Sequence, residues 1–294
     1  MLTTHDILWG IVYPLIAAVV AMLLAHLKRR GRRDTHEWGV PLALAVGFTI
    51  AFVGVAGRVQ FPPTTGQQWL VFAAATAVVI SIIASISERT RIAVILSSIA
   101  LLVLVMAWLV PANRRQWLTT REAALTMTFI GGGLTLWWAL MEPLATRYRA
   151  FMLPLVLSGV AGGAALVIAD NGWRDFGVIE GGIAVMLLAV ALLALWLRNL
   201  SLASGGILTI TFVVLGLLVS AYLYADVKWP QIVILAIAPL FAWVEMLPVI
   251  RSRKPWQRFA IVAVLVLAVI AIAAVPAAQG LRKTMQEQSE SYMY

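Results

Sequence analysis

The chain alternates long apolar runs with short polar breaks along almost its whole length. A helix needs about 20 mostly apolar residues to cross a bilayer. Each run is continuous, which is typical of spanning helices, whereas barrel strands alternate apolar and polar residues. The pattern therefore predicts an all-α, polytopic transmembrane bundle of about ten spanning helices. The predicted spans are Ile7–Leu27, Val40–Ala56, Trp69–Ile86, Ile92–Val110, Ala123–Met141, Phe151–Ala169, Val178–Leu197, Gly205–Tyr224, Ile232–Ile250 and Phe259–Ala278.

The polar breaks leave no room for a separate folded unit. None exceeds roughly 15 residues, which is far too short to bury a core of its own. We therefore predict a single transmembrane domain over residues 1–278 and no soluble domain. Residues 279–294 form a short polar C-terminal tail, and we expect it to be unstructured because it has little apolar surface to offset the entropy of ordering. The composition agrees, with 62% hydrophobic and 12% charged residues.

Lysine and arginine divide unevenly between the two sides of the predicted bundle. In short loops these residues are retained on the cytoplasmic side. The loops that follow odd-numbered spans hold the larger share: Lys28, Arg29, Arg30, Arg32, Arg33, Arg89, Arg91, Arg147, Arg149, Arg198, Arg251, Arg253, Lys254 and Arg258. The other side holds fewer, although Arg114, Arg115 and Arg121 crowd one of its loops. The bias predicts that both termini face the non-cytoplasmic side.

The net charge of +9 at pH 7 concerns partners as well as orientation. The basic residues lie in short loops beside apolar helices, where anionic lipid headgroups are their natural partners. We therefore predict the lipid bilayer as the main partner, with anionic headgroups at the basic loops. Binding of nucleic acid is not predicted.

Missing residue types exclude several kinds of chemistry. The chain has no cysteine, which excludes iron–sulfur ligation and thiolate catalysis. No histidine lies in the interior of a predicted helix and no lysine lies in a predicted span, so paired-histidine haem, an intramembrane zinc site and a Schiff base are not expected. We predict no cofactor and no metal site, and no cluster of residues in the sequence favours an enzyme.

Three carboxylates lie within or near predicted spans and are the candidate binding residues. At 1.5 Å per residue, Glu245 lies about 7 Å from the centre of its span, Glu180 about 10 Å and Glu142 about 12 Å, against a half-thickness of about 15 Å. An ionisable residue inside a membrane helix is a functional candidate by default. Glu142 and Glu180 are expected to reach the membrane surface. Glu245 either pairs with a neighbouring arginine or accepts hydrogen bonds within the bundle, or it lines a polar cavity and binds a cation, a proton or a basic group.

A short internal similarity links two of these carboxylates. The fifth span ends in Glu142-Pro143 followed by an Arg-x-Arg sequence, and the ninth ends in Glu245 and Pro248 followed by another. Both spans are odd-numbered and run in the same direction, so the two carboxylates are predicted to lie in the same half of the bundle. Paired segments of this kind frame sites in transporters, although so short a pattern also arises by chance.

Two functions are consistent with this pattern. The first is a multi-pass membrane protein of the transporter or permease type, with a polar site near Glu245. The second is a non-catalytic structural or assembly subunit of a membrane complex. A carrier requires a solvent-reachable cavity that contains Glu245, whereas a subunit requires a closed core and an apolar or glycine-rich face left for partners.

The orientation can be tested with single cysteines, since the chain contains none. We expect Thr65→Cys to react with a membrane-impermeant thiol reagent in intact cells, because its loop lies on the predicted outer side. Arg30→Cys and Arg253→Cys should react only after the cells are opened. Labelling of either arginine position in intact cells, or protection at position 65, contradicts the predicted orientation.

Overall fold

The computed structural model of the chain describes residues 3–28, 38–86, 95, 99, 120–148, 151–197, 200, 202–203 and 205–291. These residues contain no strand and form nine long helices. The helices are α1 (4–28), α2 (Gly39–Val55), α3 (Gly66–Ile86), α4 (Thr120–Arg147), α5 (Met152–Asp170), α6 (Arg174–Trp196), α7 (Gly206–Tyr224), α8 (Trp229–Met246) and α9 (Pro255–Ser291). The predicted span Ile92–Val110 lies outside the described residues, apart from two isolated positions.

The predicted fold class is confirmed. Eight of the described helices are long and apolar enough to cross a membrane, and α2 is a shorter apolar helix of 17 residues. The chain is therefore a membrane protein built as an all-α helical bundle. The expectation of an unstructured tail after Ala278 is wrong, because α9 continues as a helix to Ser291.

The most enclosed helix is α7, which lies at the centre of the bundle with 94% of its span buried. Its polar side chains Thr209, Thr211 and Ser220 are fully buried. Each hydroxyl donates a hydrogen bond to a backbone carbonyl four residues earlier in the same helix, at 2.8–3.0 Å. The hydroxyl groups are thereby satisfied within α7, and the helix needs no water in the core.

Glycines set the closest helix contacts. Gly159 and Gly163, spaced four residues apart on α5, face Ile270 of α9, and a Cβ at Gly163 would lie 2.7 Å from that side chain. Gly182 of α6 lies against the backbone of Gly10 in α1. Small residues at such positions let helix backbones approach in the absence of a hydrophobic driving force between them.

Three helices depart from regular α geometry. A π-helical turn covers Leu8–Val12 of α1, a second covers Thr211–Leu215 of α7, and the last half of α8, Ala238–Met246, is a 3₁₀ helix. In α8 the cause lies in the sequence, because Pro239 has no amide hydrogen to continue the α pattern. Short π and 3₁₀ segments inside longer helices frequently mark functional positions.

Contacts at the helix ends show which of them share one end of the bundle. Asp6, near the start of α1, forms an ion pair with Arg174 at the start of α6. Gly280, in the last part of α9, lies against Asp170 at the end of α5. The N-terminal segment, the turn between α5 and α6 and the last part of α9 therefore lie at the same end, as the alternation of spans predicts. Which side of the membrane this end faces remains a prediction.

The close contact between α1 and α6 can be tested with two neighbouring glycines. In Gly182→Ala the new Cβ would overlap the carbonyl oxygen of Gly10, and such overpacking costs about 1–3 kcal/mol. We expect the midpoint of thermal unfolding in detergent to fall by several degrees. Gly181→Ala is the matched control, since its Cβ would meet Ala165 at an ordinary 3.9 Å. Equal midpoints for the two variants would show that the contact is absent.

Candidate functional site

A polar cavity opens where α4, α8 and α9 meet, at the end of the bundle opposite the Asp6–Arg174 ion pair. Its volume is about 1050 Å³. The lining residues are Arg147, Tyr148, Phe151, Met152, Glu245, Met246, Arg251, Trp256, Arg258 and Phe259. Both segments of the Glu-Pro-Arg similarity contribute to it, as their common direction predicted.

An ion pair forms one wall of the cavity. Arg258 Nη1 of α9 lies 3.3 Å from Glu245 Oε1 of α8, and the two side chains are 26% and 17% exposed. A charge in such a half-enclosed position is stabilised by its partner more than one at an open surface. The Nε atom of Arg258 is buried and has no hydrogen-bond partner among the described residues. The guanidinium therefore retains a donor that the protein does not use.

Side chains of α4 hold the 3₁₀ part of α8 in place. In 3₁₀ geometry an amide reaches back three residues, and at Pro239 that amide is missing, so the carbonyl of Ala236 loses its helical donor. Trp137 Nε1 donates to this carbonyl at 2.7 Å. In the opposite direction, Trp243 Nε1 of α8 donates to the carbonyl of Leu140 of α4 at 3.1 Å. The irregular helix is thus fixed by specific bonds to its neighbour.

Tyr148 extends this attachment to the cavity itself. Its hydroxyl donates to the carbonyl of Ala242 in the 3₁₀ segment. Burial and the nearby carboxylate of Glu245 raise the pKa of the Tyr148 phenol far above its ordinary value. The phenol therefore stays neutral, and it presents a hydroxyl dipole beside the ion pair.

The balance of charge in the cavity is positive. Of the described residues that line it, three are arginines, Arg147, Arg251 and Arg258, and one is a carboxylate, Glu245. Arg147 and Arg251 are exposed at its edge. Guanidinium groups bind carboxylate and phosphate through paired hydrogen bonds. The arrangement is thus suited to an anionic group rather than to the cation or basic group that the sequence suggested for Glu245.

Comparisons of the chain with protein families, curated proteins and solved structures find no match. Its function is therefore inferred from the geometry of the described residues alone.

The three predicted site residues occupy different environments. Glu245 lies in the cavity, but at the next-to-last residue of α8 rather than well inside the span, because α8 ends at Met246 and not at Ile250. Glu142 is half-buried within α4, which continues past the predicted end to Arg147. It is not among the residues that line the cavity.

Glu180 differs most from expectation. The prediction that it reaches the membrane surface is wrong, since its side chain is fully buried in the bundle. The reason is the start of α6, which begins at Arg174 instead of Val178 and carries Glu180 about 9 Å into the helix. The structure does not bring Glu180 together with the cavity at Glu245.

Sequence reasoning missed the residues that build the cavity around Glu245. Trp137, Trp138 and Trp243 lie deeper in their spans than the other tryptophans, and this depth was a usable signal for the buried hydrogen bonds of Trp137 and Trp243. Arg258 carried no such signal, because as a residue in a basic loop it was interpreted only as a determinant of orientation. Its pairing with Glu245 depends on the break at Leu247, where the backbone becomes extended before α9 begins.

The ion pair predicts a measurable coupling between Glu245 and Arg258. Glu245→Gln leaves the guanidinium without its partner, and we expect it to lower the free energy of unfolding by about 1 kcal/mol, because the pair is only partly shielded from water. Arg258→Gln should cost a similar amount. The double variant should cost clearly less than the sum of the two, measured by denaturation in detergent; strictly additive losses would show that the pair contributes nothing.

Proposed function

We propose that the chain is a carrier of the permease type, and that a small solute with a carboxylate or phosphate group binds in the cavity beside Glu245 and Arg258. The cavity itself carries the proposal: a volume of about 1050 Å³ is enough for a drug-sized or metabolite-sized solute, and charged and aromatic side chains line it. A purely structural subunit has no need of such a space.

The chemistry of the lining supports an anionic solute. An incoming carboxylate or phosphate can accept hydrogen bonds from Arg251 and Arg147 at the edge and from the Arg258 guanidinium in the wall of the cavity. Glu245 restrains the Arg258 guanidinium on one side without using all its donors. The solute then competes with Glu245 for Arg258, which gives binding a direct route to the packing of α8 against α9.

The break in α8 supports movement at this position. Transporters place their sites beside discontinuous helices, whose ends can shift as units. The 3₁₀ segment Ala238–Met246 is followed by the extended residue Leu247, two residues after Glu245. Opening the cavity requires only that this segment move relative to α9, while the bonds from Trp137 and Tyr148 keep it attached to α4. With the predicted orientation, the cavity opens to the cytoplasm.

A second function, an assembly subunit, is favoured by one other observation. An apolar groove of about 600 Å³ lies between α4, α7 and α8. Phe129 is largely exposed on its wall, and a Cβ added at Gly132 or Gly133 would meet nothing within 4 Å among the described residues. A photo-crosslinking residue placed at position 129 tests this second function. Crosslinking to another polypeptide would favour an assembly subunit, whereas crosslinking to residues 92–110 of the same chain or to lipid would not.

Ligand binding tests the carrier. The purified protein is heated in detergent with inorganic phosphate, succinate, glucose or choline. At about ten times its Kd, a probe that binds the folded cavity raises the unfolding midpoint by about 3 °C. We expect this from at least one of the two anions and from neither glucose nor choline. Arg251→Gln should abolish the shift, whereas the nearby exposed Arg253 does not line the cavity, and Arg253→Gln should retain it.

Uptake into proteoliposomes then separates a carrier from a lipid site. A carrier is supported if the wild type takes up the radiolabelled anion, Arg251→Gln does not, and Arg253→Gln still does. A midpoint that responds to phosphatidylglycerol but to neither free anion would identify a headgroup site and would contradict the proposal. So would the absence of any shift.

A further inference from the structure

Glu180 is a fully buried carboxylate with no hydrogen-bond partner. Its side chain has no exposed surface. Neither Oε1 nor Oε2 accepts a hydrogen bond from any described residue. Buried polar groups in folded proteins are nearly always paired, so an isolated carboxyl group in the core requires an explanation.

Helical periodicity shows which way Glu180 faces. Phe176, four residues earlier, lies on the same face of α6 as Glu180, and the ring of Trp173, the residue just before the helix, lies 4.7 Å from that of Phe176. The ring of Trp173 stacks on Tyr224 of α7 at 5.7 Å, and that of Phe176 meets Phe52 of α2 at 6.1 Å. Glu180 is therefore directed towards the centre of the bundle, between α2 and α7, and away from the lipid.

The depth of Glu180 places it beside the irregular part of α7. Going inwards from the stacked rings of Trp173 and Tyr224, seven residues of helix span about 10 Å. Because α6 and α7 are consecutive and antiparallel, the same step along α7 leads to Leu217. This position lies two residues after the end of the π-helical turn Thr211–Leu215. The carboxyl group thus lies close to the segment where the central helix departs from regular geometry.

Among the described residues, no counter-charge pairs with Glu180. On α6 itself the other titratable side chains are Arg174 and Asp175. On the helices around α6, the titratable side chains that the structure describes are His5, Asp6, Tyr13, Asp170, Tyr222 and Tyr224. Asp6 pairs with Arg174, and Asp170 lies beside Gly280. The α2 helix contains no titratable residue. None of these groups is hydrogen-bonded to Glu180.

An ionised carboxylate without a partner is the most unstable form that Glu180 could take here. The cost of moving such an ion out of water is many kcal/mol, and the protein lowers it by binding a proton instead. A metal ion requires several oxygen ligands, and the described residues contain no cluster of acidic or histidine side chains that supplies them. We infer that Glu180 is a proton-binding site in the core of the bundle, occupied by one proton in the conformation described.

The position of this site suggests what the proton does. Glu180 lies in the half of the bundle that holds the Asp6–Arg174 pair, whereas the cavity at Glu245 opens at the other end. Release of the proton requires water to reach Glu180, and therefore a change in how α6 packs against α2 and α7. Such a change would couple proton release to solute movement. The coupling role rests on the proposed carrier function, whereas occupancy by a proton does not.

Infrared spectroscopy tests the proton directly. The full-length protein is measured at pH 7, where an ordinary glutamate, with a pKa of about 4.3, is ionised. We expect the carbonyl stretch of an un-ionised carboxylic acid in the wild type and its loss in Glu180→Gln. Glu245→Gln is the matched control and should keep the band, because Glu245 is paired with Arg258. If the wild type lacks the band, the inference is overturned, even if Glu180→Gln does not fold. A band that persists in Glu180→Gln also overturns it.

A transport measurement separates the two proposals. For an anion found to bind the cavity, an imposed pH gradient should accelerate uptake in the wild type and lose this effect in Glu180→Gln, while exchange of the anion without a gradient continues. Acceleration that persists in Glu180→Gln overturns the coupling role. If the anion neither binds nor moves, the carrier proposal fails and the infrared result still decides whether Glu180 holds a proton.

Discussion

The structure depends on one constraint, the absence of water from the membrane interior. Backbone groups and charges that would be hydrated in a soluble protein must find partners inside the chain. The central helix α7 meets this demand alone, because its buried hydroxyl groups bond to carbonyls of the same helix. The α8 helix cannot do so, since Pro239 removes an amide, and it takes its missing donor from Trp137 of α4. The attachment of α4 to α8 is thus a consequence of that proline.

The same constraint produces two solutions for carboxylates. Glu245 lies at a helix end, where a partial route to water and the guanidinium of Arg258 stabilise its negative charge. Glu180 is fully buried, and no described residue offers it a hydrogen bond or a positive charge. In these surroundings the carboxyl group is stable only without its charge. The two glutamates therefore differ in chemistry because Glu245 lies beside Arg258, whereas no described arginine lies beside Glu180.

The apolar pattern was sufficient to predict the class of fold and the positions of most spans, because a bilayer imposes both length and composition on a helix. The relative depths of Glu180 and Glu245 were predicted in the wrong order. The starts of the predicted spans were judged from hydropathy, and hydropathy excludes the charged Arg174 from α6. In the structure Arg174 pairs with Asp6, and the helix begins at this residue. The end of α8 was placed too late because hydropathy takes no account of Pro248, which disfavours a helical conformation at Leu247 and so ends α8 at Met246. Helix ends that depend on contacts between distant residues cannot be inferred from a local pattern.

The placement of the two carboxylates gives the proposed carrier a consistent physical basis. A solute that competes for Arg258 loosens the contact between the end of α8 and α9, and α9 also packs against α5 through Gly159 and Gly163. The α5 helix forms a hairpin with α6, where Ser158 donates to the carbonyl of Ala184, one helical turn below Glu180. A rigid α5–α6 hairpin that follows α9 would carry Glu180 with it. Movement at the cavity would then change the packing around the buried carboxyl group without any charged residue linking the two sites.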